Sequence, residues 1–202
     1  MRRIAETSNV PGINTKRSIT QINLNTLNEF RHGMYGCFKQ AGDALFNTMD
    51  ALSSETTAHS FPELSLSPFF QRRWPSLYEA FEDGQIDAEQ LCEIFVQFAP
   101  LPDAGQHVFL GIDTSNLLRP DAQTEEDRTL IPLANLPENA HVVCPGWVMS
   151  SVVLLSTEAG QATFVLDVVR VTSAGLATEV AASQLQAVVD CLVKRGLRPV
   201  IK

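Results

Sequence analysis

The chain has no run of eighteen or more apolar residues, and its opening, Met1-Arg-Arg-Ile-Ala-Glu-Thr7, lacks the apolar stretch of a signal peptide. Membrane insertion and secretion are therefore not expected. Cysteine is scarce: Cys37, Cys92, Cys144 and Cys191 are too dispersed for a local zinc knuckle and suit a reducing compartment, so the cytoplasm is the default location. The histidines are isolated, His107 and His141 included, and none reads as a metal ligand. Basic residues are few as well, 15 Lys and Arg against 23 Asp and Glu, and a net charge of −8 argues against holding a phosphate backbone by bulk charge.

That charge is unevenly spread. Residues 1–40 carry six basic residues against two acids, 41–140 carry four against seventeen, and 141–202 carry five against four. With 45% apolar content over 202 residues, the chain can bury a real core and has room for one domain plus a helical extension.

Residues 1–23 mix Asn, Thr, Pro, Gly and basic residues without a sustained period and read as a flexible basic arm. From Leu24 to Leu52, apolar residues at Leu27, Phe30, Met34, Phe38, Ala41, Leu45 and Leu52 recur at three- and four-residue steps, with Met49 between the last two. This spacing predicts one amphipathic helix. Gly33, Gly36 and Gly42 each weaken it by about 1 kcal/mol relative to Ala, so packing has to hold it.

A second helical stretch is expected from Ser67-Pro68, where a hydroxyl can cap and proline suits the first turn, with Pro75 interrupting it and Gly84 ending it. Asp87-Ala-Glu-Gln90 reads as an N-cap with a reciprocal glutamine, opening a helix through Leu91, Ile94, Phe95 and Phe98. Residues 24–102 thus form a helical N-terminal unit.

The character changes after Pro100-Leu-Pro102. Residues 107–113 predict a strand closed by Asp113, and 114–144 a long polar excursion. Two more strands are expected over 147–155 and 163–171, joined by a turn at Thr157-Glu-Ala-Gly160. An amphipathic helix follows, with Ala181, Leu185, Val188, Val189 and Leu192 on one face, Thr178 as cap and Gly196 as a left-handed ending. Leu197-Arg-Pro-Val-Ile201 then reads as the start of a fourth strand after a crossover helix. The fold class is α+β.

Asp113 is the residue with the clearest chemical potential. A carboxylate on a strand end supplies a hard oxygen to a divalent cation, or else serves as a turn cap beside Thr114 and Ser115. Arg119, Asp121, Asp127 and Arg128, in the excursion, either contact DNA or brace a site, or else form an internally salt-bridged loop. Trp147 either stacks on a base or packs in the protein. Asp167 either pairs with Arg170 or adds a carboxylate to a site.

Several ordered segments carry a resemblance. These are Asp113-Thr-Ser-Asn-Leu-Leu-Arg-Pro-Asp-Ala-Gln-Thr-Glu-Glu-Asp-Arg128, Asn135-Leu-Pro137, Val143-Cys-Pro-Gly-Trp147 and Leu166-Asp-Val-Val-Arg170. Upstream stand Phe30-Arg-His-Gly-Met-Tyr-Gly-Cys-Phe38, Ala41-Gly-Asp-Ala-Leu45, Glu63-Leu-Ser-Leu-Ser-Pro68 and Trp74-Pro-Ser-Leu-Tyr78. From about residue 24 onward the chain resembles bacterial insertion-sequence transposases of the DDE type.

The resemblance implies that residues 103–202 are an incomplete ribonuclease-H-like catalytic domain, with a mixed sheet of three antiparallel strands, a crossover helix and the start of a fourth strand. It implies three acids holding two Mg²⁺ ions, with Asp113 as the first catalytic and metal-binding acid, the second just after the strand containing Val200 and Ile201, and the third much further on. Intact relatives are implied to cleave and transfer DNA strands, with transposon-end DNA as substrate. Two metal ions of that kind work only when shared carboxylates space them, so this chain is expected to be a truncated, inactive fragment that binds Mg²⁺ weakly or not at all. Two other readings stand beside it: a regulatory fragment that binds DNA or a full-length transposase, and an unrelated structural domain. The implied location is the bacterial cytoplasm, at the nucleoid when bound to DNA.

Overall fold

The computed structural model describes residues 24–102, 107–121, 127–133, 142–156 and 163–197. Among these, six helices and two antiparallel sheets, of two and four strands, make a mixed α+β fold. No helix among the described residues is long and apolar enough to cross a membrane. The arm over 1–23, the turn at 157–160 and residues 198–202 of the fourth expected strand lie outside the described residues.

The helix expected over 24–52 is two helices, α1 (Leu24–Cys37) and α2 (Gly42–Ser54), separated by strand β1 (Phe38–Gln40). Strand β1 pairs antiparallel with β2 (Gln85–Ile86). Ala41 takes the left-handed conformation, φ 53°, and its carbonyl accepts from the Ala44 and Leu45 amides at 3.0 Å, so α2 starts on a new axis. The apolar period continues across the break because both helices bury a face, and periodicity alone does not register the turn between them.

Helix α3 (Phe61–Leu64) begins at Ser60, whose hydroxyl accepts from the Glu63 amide at 3.3 Å while the Glu63 carboxylate accepts from the His59 amide at 2.6 Å. Ser67-Pro68 opens no helix. Pro75 begins α4 (Pro75–Asp83) rather than interrupting a helix, because the first turn needs no amide from it. Helix α5 (Ala88–Phe98) is capped by Asp87 as expected, with its carboxylate accepting from the Gln90 amide at 3.0 Å. The Gln90 side chain, expected to reach back to the cap, accepts instead from Lys39 Nζ at 2.7 Å.

The larger sheet is built around a long strand, β5 (Val143–Leu155). Strand β3 (Phe109–Leu118) lines one edge of it from Leu155 to Gly146. Along the other edge lie β4 (Thr129–Pro132), against Val143–Gly146, and β6 (Phe164–Val171), against Val148–Leu154. The expected excursion over 114–144 is therefore part sheet, since β3 runs five residues past Asp113, β4 lies within it, and β5 starts at Val143.

Helix α6 (Ala177–Lys194) follows β6. Its cap is Leu176, whose carbonyl accepts from Glu179 and Val180, so Thr178 lies inside the helix and does not cap it. Gly196 takes the left-handed ending, φ 86°.

One core cluster joins the helical and sheet halves of the chain. Cys92, Val96 and Ala99, on and just after α5, pack with Val188, Cys191 and Leu192 of α6 and with Val152, Leu154 and Leu166 of the sheet. Each fully buried Val or Leu here is worth about 1.5–3 kcal/mol in removal from water. At the rim, Lys194 Nζ pairs with Glu93 at 2.6 Å and the Arg195 guanidinium donates to the Val96 carbonyl. Helices α5 and α6 thus cover one face of the sheet. The other face leaves Phe109, Leu117, Leu155, Val165 and Val168 exposed.

Candidate active site

Successive side chains of a strand point to opposite faces, so register decides what shares a face with Asp113. Thr114 sits opposite Ser150, and Ser150 bonds Gln184 of α6. Asp113 sits opposite Ser151, which in turn sits opposite Val168. Asp113 therefore projects from the face turned away from α6, flanked along β3 by Gly111 and Ser115 on that same face.

Asp113 is the fifth of the ten residues of β3, not its last. The sequence places the strand end too early because β3 has one strand neighbour, β5, among the described residues, and its second half, Thr114-Ser-Asn-Leu-Leu118, is exposed. Polar residues there cost little, so hydrophobicity falls before the ladder does. The carboxylate is exposed, and its Oδ1 accepts from the Thr114 amide at 2.8 Å.

Asp167 sits opposite Val152, which is buried beneath α6, and so occupies the face opposite to Asp113. The two carboxylates cannot share an ion. The ion pair expected between Asp167 and Arg170 gives way to another, because residues three apart on a strand face opposite ways. Arg170 Nη2 instead donates to the Asp127 carbonyl and to its Oδ2, both at 2.9 Å.

Asp127, two residues before β4, ties that strand's entry to the end of β6. It holds φ 54°, and its Oδ1 accepts from the Ser173 amide at 2.8 Å. The Ser173 bonds first, and Arg170 second, hold its carboxyl below the usual carboxylate range.

Trp147, opposite Leu117, lies under this clasp: the guanidinium carbons of Arg119 and Arg170 stand 5.4 and 5.2 Å from its ring centroid. Its Nε1 is buried without a hydrogen-bond partner among the described residues. Arg119 is further fixed by its amide, which donates to the Pro145 carbonyl at 2.8 Å.

The structure thus brings Arg119, Asp127 and Trp147 together with Arg170, a residue that sequence reasoning had assigned to another partner. Asp121 is exposed and Arg128 half-buried beside β4, and neither joins Asp113. Trp147 and Asp113 share a face, four positions apart in register, about 13 Å along the strands.

No group of three His, Cys, Asp or Glu residues that could hold a metal ion occurs among the described residues. Asp113 alone does not make a Mg²⁺ site, because the ion keeps its waters unless several oxygens converge in octahedral geometry. Around Asp113, the described residues of this face offer its carboxylate and two neighbouring hydroxyls at Ser115 and Ser151, with the Arg119–Arg170–Trp147 cluster farther along.

No protein-family model, curated protein or solved structure matches this chain.

Proposed function

We propose that this chain carries the first acid-bearing strand of a DDE-type transposase centre, in a ribonuclease-H-like arrangement, with DNA as the substrate. The observation that carries the reading is the placement of Asp113. It is exposed at the middle of β3, the first strand of an antiparallel β3–β5–β6 set, while the helix that follows β6 covers the opposite face. The quoted sequence segments give the reading its family.

On this reading Asp113 contributes one hard oxygen ligand, and Mg²⁺, held by further acids, would polarise the scissile phosphate oxygens. The described residues do not complete that ligand set, so no reaction step is assigned to them. Their own work is to present Asp113 on a water-accessible sheet face and to set Arg119 and Arg170 farther along the same face, where a phosphate backbone would pass. The Asp127 clasp holds that second region in place.

The test is to add a short DNA duplex, with Mg²⁺ present, to the isotope-labelled chain and follow its amide resonances. Shifts along the Asp113 face, at Asp113, Ser115, Trp147 and Ser151, are the expected result. Shifts confined to the helical unit, or none, contradict the reading.

A further inference from the structure

Most of the described Lys and Arg side chains are already committed. Arg31, Lys39, Arg72, Arg170 and Lys194 each pair with a carboxylate, and Arg195 donates to the Val96 carbonyl. Arg128 has a partner as well. Among the described residues, Arg73 and Arg119 are left without a hydrogen bond or ion pair at the guanidinium.

Arg119 differs from Arg73 in being held. Its amide donates to the Pro145 carbonyl at 2.8 Å, and its guanidinium carbon stands 5.4 Å from the Trp147 ring centroid. A guanidinium on an aromatic ring is fixed without spending its N–H donors, and these remain available in their planar fork. Arg119 is exposed, so a ligand can reach them.

Arg170 stands against the same ring, 5.2 Å from its centroid, but its charge is offset by Asp127, to which it donates twice at 2.9 Å. Asp127 is in turn held by the Ser173 amide at 2.8 Å. The clasp therefore fixes the ring on which Arg119 rests. Trp147 is half-buried and already carries two guanidinium groups, which suits a platform for cations better than a surface for a base.

We propose that Arg119 is the residue of this face that contacts a DNA phosphate, that Trp147 and Arg170 position it, and that the contact is made to the backbone without reading a base. The proposal rests on the reading of the Asp113 face as a DNA surface, and goes beyond it by assigning the contact to one residue and giving the ring a positioning role. Phosphate contacts fix a protein on DNA but carry no sequence information. Each neutralised phosphate also releases condensed counterions, so the contact has a signature in the salt dependence of binding.

The experiment uses the full chain with Trp74→Phe, which leaves Trp147 as the fluorescent reporter beside Arg119, since the sequence has two tryptophans. The probes are two short DNA duplexes of unrelated sequence, and one of these remade with uncharged methylphosphonate linkages. Both charged duplexes are expected to change Trp147 emission saturably and with the same affinity, and the uncharged duplex to leave it unchanged. Arg119→Gln should reduce the slope of log affinity against log salt by about one unit for both sequences. Arg119→Lys keeps the charge and should restore the slope, which separates a lost contact from a disturbed fold.

Binding with an unchanged salt slope in Arg119→Gln overturns the assignment of Arg119 and leaves the DNA reading of the face standing. Equal binding of the methylphosphonate duplex, or a strong preference for one sequence, overturns the backbone contact in the same way. No binding of either charged duplex removes the DNA reading itself, and this proposal with it.

Discussion

The Ser150 hydroxyl donates to Gln184 Oε1 at 2.8 Å, and Gln184 Nε2 donates back to the Ser150 carbonyl at 3.2 Å. This reciprocal pair ties the middle of α6 to the middle of β5, and both residues are buried. It fixes which face of the sheet the helix covers, and so which face is left to Asp113. A buried polar pair of this kind contributes little net energy while intact but is costly to break on one side only.

Gln184→Leu should therefore destabilise the fold by about 1–3 kcal/mol, because it strands the Ser150 hydroxyl in the core. Adding Ser150→Ala should recover part of that loss. Urea unfolding of the two single variants and the double variant measures the coupling, and strictly additive losses would show that the pair does not act as a unit.

Leu192→Ala should cost about 2–5 kcal/mol, since Leu192 is fully buried where α5, α6 and the sheet meet. Because that cluster draws on both halves of the chain, helix loss by circular dichroism and tryptophan emission should shift together. Two separated transitions would mean that the helical unit and the sheet unfold independently.

The Asp127 clasp gives a pH dependence whose sign is fixed. Its folded carboxyl titrates below the unfolded value of about 3.9, so its contribution is present above that pH and is lost as pH falls through the lower, folded value. The stability difference between the wild type and Asp127→Asn should accordingly be full at pH 5 and shrink towards pH 2. A difference that grows on acidification contradicts the assignment.

Thiol reactivity should divide the four cysteines. Cys37, Cys92 and Cys191 are buried, and burial pushes their thiols up, Cys92 to about 12. At pH 8 in the native state, a disulfide reagent should titrate half-buried Cys144 first and reach the other three only on unfolding. Rapid labelling of all four would show that the α5–α6 core opens readily.

How much of this was legible in the sequence depends on how exposed each element is. Strands β5 and β6 and helices α5 and α6 bury one face, and their apolar spacing marks them. Strand β4 and the second half of β3 have one strand neighbour each among the described residues, carry no clean period, and so read as excursion. The break at Ala41 was hidden because α1 and α2 sustain one apolar rhythm through it.

Asp113 stood out by residue type, but its place at mid-strand, and the face it occupies, depend on pairing with Ser151 thirty-eight positions later, which no local pattern encodes. The Arg170–Asp127 bond, 43 positions apart, is of the same kind and displaced the nearer Asp167 pairing.

The most direct measurement for the central claim is a titration of the labelled chain with Mn²⁺, following paramagnetic loss of amide signals, repeated with Asp113→Asn. The expected result is weak binding, as one carboxylate allows, with broadening centred on Thr114 and Ser151 in the wild type and absent from the variant. Broadening that ignores the β3–β5 face, or that survives Asp113→Asn unchanged, would contradict the assignment of Asp113 as a metal-binding acid.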